Sequence, residues 1–339
     1  MTVLVTGASG HIGGVLVRTL LKQGRRVRAL VHNKAAALQG LEGDLELMKG
    51  DVLDRAAMDR ACAGVTTVFH LAAVISIVGD PDGRVRAVNV DGPRNLAEAA
   101  LAAGVGRMVH VSSVHAFDIN SGAAQIHEQS PRVGPLAPAY DRSKAAGEEA
   151  VREVIARGLD AVIVNPGGVI GPFDFIPSRM GTFFLQLAKR SLPSLVPGGF
   201  SWVDVRDVCA TILAAEERGR CGESYLVTGP WCSMSDLALF AEQVTGVKAP
   251  AHTVPLWLAQ MAAPLMTGWA KLTGTEPLYT REALHAVVAC RDISWRKAAD
   301  ELGHSPRPVT ETILDLYRWF SLAEQLQLPQ EHQVGEVAL

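Results

Sequence analysis

The segment Val3-Leu4-Val5-Thr6-Gly7-Ala8-Ser9-Gly10-His11-Ile12-Gly13-Gly14 decides the fold. Three apolar residues open it as a buried strand, and Val15, Leu16, Leu20 and Leu21 then recur on helical spacing. Gly7, Gly10 and Gly13 fall at the junction, in a GxxGxxG arrangement. At such a crossover each glycine has its own task. Gly7 turns the chain out of the strand, Gly10 lets backbone approach a pyrophosphate, and Gly13 lets the helix lie close on the sheet. The unpaired N–H groups at the start of the helix then face an anion. Three glycines alone are a weak signal, but their place at the first strand–helix crossover points to a dinucleotide.

Outward from this loop, strands are predicted at Val27–Val31, Asp44–Met48, Thr67–Leu71, Arg107–Val111 and Asp160–Val164, with helices at Asp54–Ala63, Val90–Ala103 and Tyr140–Arg157. The strands are apolar throughout, as expected of a parallel sheet covered on both faces. The predicted class is therefore α/β, a doubly wound parallel sheet with a smaller, mostly helical substrate domain. After Gly171 the pattern loosens at Pro172, Pro177, Pro193, Pro197 and Gly198-Gly199; a helix at Asp204–Glu217 and a strand at Ser224–Val227 return to the sheet, and Met234 to Phe320 reads as mostly helical. The expected division is a dinucleotide-binding domain over 1–170, rejoined by 200–230, a substrate region over 171–199 and 231–325, and a loosely held tail over 326–339.

Composition narrows the function. With 339 residues, 48% of them hydrophobic, and 32 basic against 35 acidic side chains for a net charge of −3, the chain is neither a nucleic-acid binder nor a disordered one. Cys62, Cys209, Cys221, Cys232 and Cys290 form no CxxC pair, which suggests free thiols in a reducing, cytoplasmic setting, and no leader is expected ahead of the strand at Val3. Pro255, Gln260, Pro264 and Gly268 interrupt the apolar stretch Thr253 to Thr273, so it reads as a packed helix and not a membrane span.

In Tyr140-Asp141-Arg142-Ser143-Lys144 the tyrosine and lysine stand four apart, on one face of a helix. A phenol of pKa about 10 must be lowered by roughly 3 units to serve as an acid–base group near neutrality. Lys144 offers one cation for this and an oxidised nicotinamide another. The pair Ser112-Ser113 ends a predicted strand, on the side where ligands bind in a doubly wound sheet. No carboxylate stands near His32-Asn33, where one would accept from an NAD ribose, and Arg28 and Lys34 are close by. The expected cofactor is accordingly NADP, with NAD as the alternative. His11, His70, His110 and His115 show neither metal spacing nor an evident carboxylate partner, so no metal is expected; His115 reads as structural, with substrate contact as the alternative.

The GxxGxxG loop, Gly50–Asp54 (GDVLD), Phe69–Ala73 (FHLAA), Tyr140–Lys144 (YDRSK) and Asn165–Phe173 (NPGGVIGPF) together resemble the extended short-chain dehydrogenase/reductase superfamily, also called the NAD-dependent epimerase/dehydratase family. Its dihydroflavonol-4-reductase-like and 3β-hydroxysteroid-dehydrogenase-like branch is the nearest in character. That resemblance implies a Rossmann fold and a phosphate loop of Gly7, Ser9, Gly10, His11, Ile12 and Gly13. It implies His32 at the ribose, Asp51 on the adenine amino group and Val52 against the ring. Leu71, Ala72 and Ala73 would pass the ribose and pyrophosphate, and Pro166 and Val169 the nicotinamide. It further implies Ser113 (or Ser112), Tyr140 and Lys144 as the catalytic set, Asn89 as a prop, and a homodimer through the tyrosine helix. The chain departs from the family in carrying His32 where NADP-dependent relatives carry arginine, and Asn165 where sugar enzymes do.

Phe117, Phe173, Phe175, Ile176, Met180, Phe183, Phe184 and Trp202 could furnish an apolar pocket, several of them simply as core, while Arg179, Lys189 and Arg190 read as solvated surface. A reductase of a hydrophobic ketone or aldehyde is the leading expectation. A sugar epimerase or dehydratase holding NAD tightly is the alternative, and a non-catalytic NADP sensor ranks below both.

Overall fold

The computed structural model describes residues 1–32, 36–192, 194–262, 280–288, 292–327 and 337–339. Asn33, Lys34, Pro193, Pro264, Gly268, Thr273 and Cys290 lie outside the described residues. Ten strands are seen among the described residues: β1 (Thr2–Thr6), β2 (Arg26–Val31), β3 (Leu45–Lys49), β4 (Val65–His70), β5 (Arg107–Val111), β6 (Ala161–Pro166), β7 (Gly168–Ile170), β8 (Gly199–Asp204), β9 (Ser224–Val227) and β10 (Trp231–Ser233). Seven of them form a sheet in the order β3-β2-β1-β4-β5-β6-β9. Every neighbouring pair in it is parallel.

Alternation along each strand feeds two cores. Val3, Val5, Ala29, Phe69, Val109 and Val164 face one layer of helices, and Leu4, Leu30, Val68 and Met108 face the other. The order reverses between β1 and β4, so the crevice beyond their carboxyl ends lies where the glycine loop leaves β1. This is the doubly wound fold expected from the sequence.

A second sheet, β10-β8-β7, is one the sequence reading did not foresee. β7 and β10 have three residues each, and β8 opens on a glycine, so no period is long enough to register. Around it Phe184, Trp202, Tyr317 and Phe320 form a third core, closed by a hydrogen bond from the Tyr317 hydroxyl to the Phe184 carbonyl, 2.9 Å.

Two local expectations are corrected. The helix expected from Val90 starts at Gly92 and is preceded by a wide helical turn over Ala87–Asp91. The end of the expected loose tail is docked: Val337 and Leu339 pack on the first core, and the Ala338 carbonyl accepts from Arg206 at 3.1 Å. No described helix is long and apolar enough to cross a membrane.

Candidate active site

The glycine loop is shaped by close approach. Gly7 has φ +66°, and a Cβ there would lie 2.6 Å from the Ala72 nitrogen; a Cβ on Gly13 would lie 2.2 Å from the Gly7 carbonyl oxygen. Gly13 therefore closes the helix against its own loop, whereas the sequence reading set it against the sheet. The helix His11–Lys22 starts after Gly10 with no side-chain cap and no acidic residue in its first turn. Its open N–H groups and positive end suit a pyrophosphate. Thr6 stabilises the floor: its hydroxyl lies 2.6 Å from His70 Nδ1 and accepts from the Leu71 and Ala72 amides at 3.3 Å. His11 Nε2 lies 2.8 Å from the Pro172 carbonyl, tying the loop to the segment after β7.

At the end where adenosine is expected, Val52 is buried against Gly92, where a Cβ would come within 2.8 Å of it. His32 Nε2 lies 3.2 Å from Asp51 Oδ2. The carboxylate missing from the end of β2 is thus brought beside His32 by the turn after β3, a pairing the sequence reading did not anticipate. Of the strand-end residues, Leu71 and Ala72 are partly buried and Ala73 is exposed. Pro166 is buried at the end of β6, and Val169 on β7 borders the cavity described below.

Ser113, Tyr140 and Lys144 converge beyond β5. The helix Ala139–Ile155 can approach closely because Gly147 faces the Asn89 carbonyl, which a Cβ would meet at 2.2 Å. Asn89 fastens the junction: its amide donates to Val74 O and Ser143 Oγ, each at 2.9 Å, and accepts from Val74 N at 2.8 Å. Ser113 lies beside the phenol oxygen of Tyr140 and favours its ionised form, whereas the buried Ser112 hydroxyl meets no partner among the described residues.

Burial pushes the Tyr140 phenol up to about 12; Ser113 and the charge of Arg179 oppose the rise, and Asp141 adds to it. Burial pushes Lys144 down to about 8, and its Nζ donates to the Val111 carbonyl at 3.2 Å. The sequence reading asked Lys144 to lower the phenol. In the folded chain desolvation wins, and the tyrosine is held protonated.

Behind the serine, Asn165 is fully buried and its amide donates to the Ser113 carbonyl at 2.9 Å and to Glu148 Oε1 at 2.5 Å. Arg132 neutralises Glu148 at 2.8 Å. Asn165 thus props the serine segment and does not face the cavity. Its one sequence signal was a polar residue inside an all-apolar strand.

A cavity of about 280 Å³ opens beside Tyr140, walled by Ile75, Ile77, Met180, Phe183, Phe200 and Trp202 among others. Of the aromatic candidates, Phe117 and Phe184 are core, Phe173 and Phe175 pack on Trp319, and Ile176 is exposed. Arg179 is corrected from solvated surface to a member of the cavity wall. His115, which showed no partner in the sequence, has one: its Nδ1 lies 3.0 Å from Asp141 Oδ1. No described group of His, Cys, Asp and Glu is placed to hold a metal.

Residues 3–228 match the model of the NAD dependent epimerase/dehydratase family. The chain belongs to that family. Within this epimerase/dehydratase family the chain is 37% identical over 327 residues to "Sterol demethylase protein B" of Methylococcus capsulatus, covering 94% of this chain and 98% of that one. A Synechocystis protein named after dihydroflavonol 4-reductase is 33% identical over 329 residues, 93% of each chain. The crystal structure of gox2253 superposes with a TM-score of 0.82 at 33% identity, covering 96% of this chain and 99% of that one. Family members are oxidoreductases or epimerases acting on CH–OH groups, and the extended short-chain dehydrogenase/reductase resemblance read from the sequence holds along the chain.

Proposed function

We propose that the protein is an NADP-preferring reductase of a hydrophobic ketone or aldehyde, or a dehydrogenase of the corresponding alcohol. The observation that carries this reading is the largely apolar cavity that Tyr140 helps to line. A diphosphate-bearing substrate needs a cluster of cations, and Arg179 is the one lysine or arginine on the described wall. The names of the sterol- and dihydroflavonol-related proteins point the same way.

A dinucleotide bound along Gly7–Gly13, Asp51–Val52 and Leu71–Ala73 would supply or accept hydride at its nicotinamide. Tyr140, held protonated by burial, then gives its proton to the carbonyl oxygen, and Ser113 hydrogen-bonds the same oxygen. Lys144 would hold the nicotinamide ribose hydroxyls. His32 and Asp51 sit 3.2 Å apart at the end proposed for the adenosine.

The test is the nucleotide and its fate. Gently purified protein should lose its dinucleotide on dialysis and should consume NADPH faster than NADH with a bulky apolar ketone. NAD that stays bound through gel filtration, with no net consumption of reduced cofactor, would replace this reading by an epimerase.

The displaced ammonium adds a pH signature. With Lys144 at about 8, the cation that grips the ribose is lost as pH rises through that value. Dinucleotide affinity should weaken above pH 8 by fluorescence titration, and Lys144→Met should be weak at every pH. The stability contribution has the opposite sign. The burial cost of the charge is fully present below about 8, and stability recovers as pH climbs toward the unfolded value of about 10.4. The variant should lack that rise.

A further inference from the structure

Tyr140, Lys144 and Glu148 recur every fourth residue on the helix Ala139–Ile155, so the stripe that carries the reacting pair runs on for one more turn. Lys144 is 5% exposed and Glu148 2%. A carboxylate taken this far from water must be held. Asn165 on β6 donates to its Oε1 at 2.5 Å and, from the same amide, to the Ser113 carbonyl at 2.9 Å. Arg132 brings Nη1 to 2.8 Å from Oε2, a charge contact without hydrogen-bond alignment. Lys144 in turn donates to the Val111 carbonyl at 3.2 Å. The other neighbours are neutral or engaged elsewhere. His70 on β4 and His110 on β5 stack with ring centroids 5.2 Å apart, and burial holds both below their ordinary range, hence uncharged. Asn89, Ser112 and Ser113 carry no charge. Asp141 lies against His115, Arg152 donates to Ser224 Oγ at 2.8 Å, and Arg94 pairs with Glu153 toward solvent. Burial drives Lys144 down to about 8, and the charge of Glu148 opposes that fall.

We propose that Glu148 is a positioning residue whose buried carboxylate, fixed by Asn165 and Arg132, sustains the ammonium of Lys144 that grips the dinucleotide. A lysine buried as deeply without this anion would shed its proton, and with it the ribose, at a lower pH. The inference rests on Lys144 holding the dinucleotide, as proposed above, and is independent of which carbonyl compound is reduced.

The test is NADPH binding by fluorescence titration across pH. Glu148→Gln keeps the side chain's shape and an oxygen for Asn165, but not the charge. Its loss of affinity should set in about one pH unit below that of the parent, the low end of what an opposite charge a few ångströms away contributes. At pH 8 it should bind about fivefold more weakly, while near pH 6, where the lysine is charged in both, the two should agree within about twofold. Glu148→Asp restores the charge and should return the midpoint most of the way. A mere structural prop would weaken binding by one factor at every pH. That result, or an unmoved midpoint in Glu148→Gln, overturns the proposal. If glutamine strands the Arg132 cation and the chain fails to fold, Arg132→Met combined with Glu148→Gln removes both charges and meets the same criterion. A parent whose affinity shows no break near pH 8 fails the assignment of Lys144 to the dinucleotide instead. The pH midpoint of Lys144 acetylation by acetic anhydride, read by mass spectrometry on the nucleotide-free protein, then decides for Glu148: a lower midpoint in Glu148→Gln upholds its role, and an equal one overturns it.

Discussion

Tyr140→Phe is expected to lower turnover by about a hundredfold to ten-thousandfold, the range for removing a positioned general acid, while dinucleotide affinity changes little. The phenol is partly buried, next to Ser113, and kept protonated by desolvation. Phenylalanine keeps the ring and its edge contact with His115, so the change removes one O–H and almost no packing. A structural tyrosine would behave otherwise, losing stability and activity together. Thermal unfolding, cofactor titration and single-turnover reduction measured on the same preparation separate the two. Turnover within threefold of the parent would remove Tyr140 from the chemistry.

Gly13→Ala should be among the most damaging single methyl additions at the described glycines. The added carbon would sit 2.2 Å from the Gly7 carbonyl oxygen and 2.9 Å from Ala8 Cα, all backbone with no side chain able to swing away. Either the helix lifts or the loop opens, and both spoil the ring of N–H groups offered to the pyrophosphate. The expected result is loss of measurable dinucleotide binding with a destabilisation of about 1–3 kcal/mol, the usual cost of overpacking. Gly14→Ala is the internal control. Its new methyl would meet the Ala37 side chain at 3.3 Å, and alanine is the better helix former by about 1 kcal/mol. Binding that survives in both variants would contradict the role given to the loop.

The contrast between these adjacent glycines shows what was legible in the sequence. The spacing of Gly7, Gly10 and Gly13 announced a phosphate loop, because that geometry is local and belongs to consecutive residues. The parallel strands were equally plain: β5 and β9 fall on the predicted residues, and the others shift by one or two. What escaped depends on distant segments meeting. His115 and Asp141 come from opposite ends of a loop, and His32 and Asp51 follow different strands. Arg179 had no way to declare that its helix folds over the Tyr140 cavity. The direction of the tyrosine shift was also hidden, since a count of nearby cations does not reveal how completely a site is stripped of water. Ile75 and Ile77 line the cavity without any motif, simply because the chain leaves β4 there.

The pairing of β9 with β6 has an evolutionary and practical consequence. Ile163 to Pro166 are hydrogen-bonded in register to Ser224 to Val227, and every residue of β6 is buried. Cutting the chain after residue 170 would therefore leave a naked, sticky ribbon that invites other molecules to pair with it. The nucleotide-binding half cannot be lifted out and grafted upstream of a new partner as a free-standing cassette. Loops between the sixth strand and its late-arriving neighbour can be rewritten without exposing that edge.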